Sequence, residues 1–110
     1  MAMTKETEAK LQELQMIEQN INNFSMQKQS FQMELIEAES ALSELAKVSS
    51  AYRIIGNIMV LSSKEDVEKE LSSKKEIVEL RLATIEKQET KLKEKAAKLQ
   101  KDVLGEMKEQ

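Results

Sequence analysis

The 110-residue chain contains no proline and only two glycines, Gly56 and Gly105, so a single glycine interrupts its interior. That residue sits in AYRIIGNIMVL, residues 51–61, between two short apolar runs rich in β-branched side chains. Gly56-Asn57 in this setting is the signature of a β-hairpin with a two-residue turn. Glycine at the first central position suits a type II′ turn, because it reaches φ > 0 without a Cβ clash. The turn sets the register: Ile55 opposite Ile58, Ile54 opposite Met59, Arg53 opposite Val60 and Tyr52 opposite Leu61. Side chains alternate along a strand. One face therefore carries Arg53, Ile55, Ile58 and Val60, and the other Tyr52, Ile54, Met59 and Leu61. Both faces are mostly apolar. A lone two-stranded hairpin is marginal in water and leaves edge N–H and C=O groups unpaired. No other stretch of the chain reads as a strand. The expectation is that the hairpin completes its sheet with other subunits, with Tyr52, Ile54, Ile55, Ile58, Met59 and Val60 as the oligomerisation surface.

The flanking segments read as long helices. Thr4 is placed to cap the first, with Glu6 and Glu8 in the first turn where the helix dipole favours acids. One heptad frame fits from there to about Lys47. Its a positions are Leu14, Ile21, Lys28, Leu35 and Leu42, and its d positions Ile17, Phe24, Phe31, Ala38 and Leu45. Sustained over more than four heptads, that is a coiled-coil seam. Lys28 interrupts it, either fixing register or snorkelling past its neighbours. Ser62 or Ser63 can cap the second helix, and SSKED resembles a capping box. Leu71, Val78, Ile85, Leu92 and Leu99 then recur every seven residues, accompanied by Lys75, Leu82, Glu89, Ala96 and Val103. Gly105 is read as a stop signal. Pairs such as Glu65–Lys69, Glu70–Lys74, Glu89–Lys93 and Glu94–Lys98 run in the favourable i→i+4 order.

The expected fold is mainly α: a long antiparallel two-helix coiled coil joined by one β-hairpin that completes an inter-subunit β-barrel. It is a single domain over residues 1–110, with helix one at 4–47, the hairpin at 51–61, helix two at 63–104 and a frayed tail at 105–110. The acidic start of the first helix would meet the lysine-rich end of the second. The free end would gather Met1, Met3, Leu11, Leu14, Met16 and Ile17 with Ala97, Val103, Leu104 and Met107. Methionine is flexible and recurs on surfaces that accept many partners.

Composition narrows the function classes. Charged residues make up 34% and aromatics 3%, with a net charge of −3, which is no nucleic-acid or membrane signature. The Lys-rich stretch from Lys87 to Lys101 is interleaved with acids and lacks aromatics, against a nucleic-acid site. No histidine or cysteine is present, and no glycine-rich loop can cradle a phosphate. The chain is therefore read as neither an enzyme nor a user of ATP, with no cofactor and no metal. No apolar run could span a bilayer, and a soluble, cytoplasmic protein is expected.

The order of elements resembles the beta-type subunit of the prefoldin family, in its archaeal form. The likeness runs from about Leu11 to Met107. It rests on MQKQSFQMELIEAESALSEL in the first helix, AYRIIGNIMVL at the hairpin and KKEIVELRLATIEKQETKLKEK in the second helix. The resemblance implies a hexamer of two alpha and four beta subunits, with hairpins forming a double β-barrel platform and coiled-coil tentacles hanging from it. It implies an ATP-independent holdase whose tentacle tips capture non-native proteins and pass them to a group II chaperonin. Within that reading, Leu11, Leu14, Met16, Ile17, Ile21, Val103, Leu104 and Met107 form the client-binding set. Lys98, Lys101, Glu106 and Lys108 are candidates for chaperonin contact. The competing reading is a scaffolding coiled coil without chaperone activity, in which the hairpin is only a linker.

Overall fold

The computed structural model describes residues 4–109, in the order α1 (Lys5–Leu45), β1 (Ala51–Ile55), β2 (Ile58–Ser62) and α2 (Lys64–Glu109). Met1 and Met3, expected at the free end, lie outside the described residues. α1 begins where Thr4 accepts the Thr7 backbone N–H on its Oγ1 at 3.1 Å, while its own carbonyl takes the Glu8 N–H at 3.0 Å. That is an N-cap bond, and it satisfies one of the orphan donors of the first turn. Ser63 does the same for α2, accepting the Asp66 N–H on its Oγ at 3.2 Å and so deciding between the two candidate serines.

α1 ends at Leu45, two residues earlier than Lys47. The last bonds tighten to i→i−3, Lys47 N–H to Glu44 O at 3.1 Å and Val48 N–H to Leu45 O at 3.3 Å. The last turn of α1 holds no basic residue; Lys64, from the start of α2, reaches back to the Ala46 carbonyl at 3.4 Å. A cation there complements the negative end of the helix dipole.

The hairpin pairs in the register the turn dictates, with one further pair, Ala51 opposite Ser62. Gly56 has φ of 62°, and no non-glycine among the described residues has positive φ, so only the first central position is left-handed. That is the II′ pattern and not the I′ one.

The chain forms two compact units. One comprises residues up to Lys28 and from Thr84 onward, and the other runs from Gln29 to Ala83 and carries the hairpin. In the terminal unit α1 and α2 run antiparallel around Leu14, Ile17 and Ala96, with Ile21, Leu92 and Leu99 packed against them. In the hairpin unit the buried residues are Ala38, Leu45, Val78 and Leu82, and Arg81 lies 5.8 Å from the Phe31 ring centroid. Every seam position in both heptad frames is buried or half-buried. Two of the three polar seam positions meet in the terminal unit: the Lys28 Nζ lies 3.7 Å from the carboxylate of Glu89, a residue that is 8% exposed.

Gly105 does not end the second helix, and residues 105–109 are helical rather than frayed. A lone glycine costs a helix only about 1 kcal/mol against alanine. Side chains on either side of it are held: Val103 is buried, and Glu106 is bonded to α1. Those contacts outweigh the glycine.

Candidate functional site

Two surfaces stand out, one in each unit. The first is the hairpin. Ile54 is 73% exposed, Ile58 and Met59 66%, Tyr52 62%, Ile55 56% and Val60 39%. All six sequence-predicted oligomerisation residues thus face outward, on both faces of the two strands. Leu61, opposite Tyr52, is 62% exposed as well. Burying such side chains contributes roughly 1.5–3 kcal/mol each, and a contiguous exposed patch of them marks an interaction surface. One device anchors the hairpin to α2: the Arg53 guanidinium pairs with Glu70 at 2.7 Å. Glu70 therefore serves the sheet, although its spacing also suits Lys74. Of the expected i→i+4 pairs, Glu89–Lys93 closes at 3.5 Å.

The second surface is the tip, made by the first turns of α1 and the last turns of α2. Among the predicted client-binding residues, Met16, Leu104 and Met107 are exposed, and Leu11 and Ile21 are half-buried. Leu14, Ile17 and Val103 are buried in the seam. Only part of the set is thus open to solvent while the helices stay paired. Of the chaperonin candidates, Lys98, Lys101 and Lys108 are exposed. Glu106 is engaged instead. It accepts Lys10 Nζ at 2.6 Å on Oε1 and the Thr7 hydroxyl at 3.1 Å on Oε2. Thr7 is fully buried and its Oγ1 also lies 2.8 Å from Thr4 Oγ1.

Apolar periodicity missed this polar layer. Extending the first-helix frame by one heptad places Thr7 at a and Lys10 at d, and the Leu71 series continues from Leu99 to Glu106. The hydrogen bonds from Lys10 and Thr7 hold the Glu106 carboxyl below the usual glutamate range, with Lys10 the larger cause. The same bond to Glu106 raises Lys10. The expected meeting of acidic and basic helix ends is realised by Glu13–Lys95 at 3.1 Å, whereas Lys10–Glu106 has the opposite sense.

Among the described residues no three His, Cys, Asp or Glu side chains gather to hold a metal ion, and no helix is long and apolar enough to cross a membrane. The geometry defines a class: a helical coiled-coil subunit carrying a single outward-facing hairpin. Residues 8–110 match the family model described as prefoldin subunit. Curated relatives include the prefoldin subunit beta of Archaeoglobus fulgidus, 41% identical over 80% of this chain and 78% of its own length. That of Sulfurisphaera tokodaii is 38% identical over 89% and 81% respectively. The crystal structure of the prefoldin beta subunit from Thermococcus strain KS-1 superposes with a TM-score of 0.88 at 32% identity, covering 94% of each chain. The chain belongs to the prefoldin subunit family, and within it is similar to the beta subunits of archaea.

Proposed function

We propose that this chain is the beta-type subunit of an ATP-independent holdase, assembled from four copies of itself and two of an alpha subunit in the cytoplasm. The observation that carries the proposal is the hairpin, apolar and exposed on both faces within a chain of this family. A sheet completed by neighbouring hairpins would cover those faces and satisfy the strand edges. Several copies would then present several tips to one client, and multivalency raises avidity without new contacts or specificity. Capture would use Met16, Leu104 and Met107 at the closed tip, with Leu11, Leu14, Ile17, Ile21 and Val103 recruited as the helix ends part. Transfer to a group II chaperonin would use the exposed Lys98, Lys101 and Lys108, with Glu106 joining them once released from Lys10.

The test is an aggregation-suppression assay on the assembled complex without nucleotide. Removing residues 1–10 and 103–110 should leave the assembly intact and weaken suppression several-fold, because multiplied weak contacts are lost together. Undiminished suppression by the truncated complex would count against capture at the tips.

A further inference from the structure

The apolar seam of the terminal unit ends at Leu14 and Val103, and the next layer outward is polar. Thr7, Lys10 and Glu106 fill the positions that one more heptad would give to apolar residues. The three side chains are joined: Lys10 to Glu106 at 2.6 Å, Thr7 to Glu106 at 3.1 Å, and Thr7 to the capping Thr4 at 2.8 Å. Among the described residues, Glu106 is the α2 side chain hydrogen-bonded to this layer. A layer of this composition closes a seam differently from leucines. It has directional bonds that fix one geometry, but little apolar area, and its ion pair is about one-third exposed, with side chains at 32% and 28%. Pairs of that kind are worth little in net stability and weaken with salt.

We infer that Thr7, Lys10 and Glu106 form a latch that holds the tip closed over Leu14, Ile17 and Val103 and sets how readily these residues reach a client. The inference rests on the client-holding reading above and names its regulation. The three are positioning residues: they act by withholding the buried side chains, not by touching client. Closed, the tip offers Leu104 and Met107, which are one helical turn apart on α2, and Met16 on α1. Open, it adds the buried set. Apparent affinity is then reduced by the fraction of tips that are closed.

The chain has no cysteine, so Lys10→Cys with Glu106→Cys introduces one cross-link site per subunit into the assembled complex. With the disulfide formed, suppression of client aggregation should fall, and reductant should restore it. Lys10→Ala should raise client affinity about two- to fivefold, the range expected from releasing one partly exposed ion pair. Amide exchange across residues 11–17 and 99–104 should quicken in the same variant. The reversed pair, Lys10→Glu with Glu106→Lys, should bring both readouts back toward those of the native chain.

Native holding in the cross-linked complex would overturn the latch. So would unchanged holding and exchange in Lys10→Ala, which decides the matter if the disulfide does not form. Leu104→Asp with Met107→Asp separates the latch from capture, because it removes exposed apolar contacts and leaves the polar layer intact. Full holding there, together with native holding in the cross-linked complex, sinks capture at the tip itself. Lost holding there, together with native holding in the cross-linked complex, sinks the latch alone.

Discussion

At the scale of single residues, the chain places its polar exceptions where two of them can meet. Lys28 and Glu89 each look like a flaw in a heptad seam, yet together they form one ion pair in the terminal unit. Lys93 and Glu86 lie within 4.0 Å of Glu89 and Lys28 respectively, so each charge keeps a second partner, and the cross-helix pair matters mainly for favouring this register over its neighbours. Glu106 gives a pH dependence whose sign follows from its shift. Its native pKa lies below the ordinary value, so its contribution is complete above the glutamate range and is lost as pH falls through the lowered native value. Lys10 is raised, with Asp102 and Glu6 adding to the effect of Glu106. Its contribution is complete below the ordinary lysine value and fades as pH rises through the raised one. The tip should therefore be tightest between those limits and loosen at both. A carbon NMR titration of Glu106 checks this: Lys10→Ala should move its pKa upward toward the ordinary value, and no movement would refute the pairing. Gly105 offers a second check. Nothing lies within 4 Å of where its Cβ would stand, and the helix continues through it. Gly105→Ala should thus stabilise the chain by about 0.5–1 kcal/mol in denaturant melts.

At the scale of elements, the sequence was most legible where a local rule leaves no alternative. Gly56 at the first central position suits a II′ turn, and a two-residue turn admits one register, so every pairing from Tyr52–Leu61 to Ile55–Ile58 follows from the residues alone. The seams were equally plain, because a period of seven apolar residues has one buried face. Helix ends were harder to place. Gly105 carries the mark of a C-cap, but what decides the end lies across the helix pair, at Lys10 and Thr7. The tip layer was hidden for a related reason. Thr7, Lys10 and Glu106 carry no apolar signal, so nothing in the hydrophobic pattern extends the seam to them; the burial of Thr7 and the bonds among the three do. The proposed client set is divided by the same fact: Ile17 is buried in the seam, so in that proposal it serves a client only when the helix ends part. The hairpin supports the sharpest prediction at this scale. Ile55→Asp with Ile58→Asp puts two carboxylates opposite one another on one face, where like charges repel. Higher assembly should be lost while helix content by far-UV CD stays largely intact. Unchanged CD and unchanged native mass together would mean that the hairpin faces are not buried between subunits.

At the scale of the whole molecule, the chain buries two narrow seams and leaves its most apolar segment in water. Hairpin residues such as Ile54, at 73% exposure, are left uncovered by the described residues of a single copy. Small chains with thin cores commonly reach stability through oligomerisation. Family membership, the exposed hairpin and the marginal stability of an isolated two-stranded sheet converge on assembly. The decisive test is the native mass and subunit make-up of the complex recovered from source cells. Four copies of this chain with two of a second helical subunit are expected. A bare homodimer, or a monomer with its hairpin left in water, would contradict assembly through the hairpins.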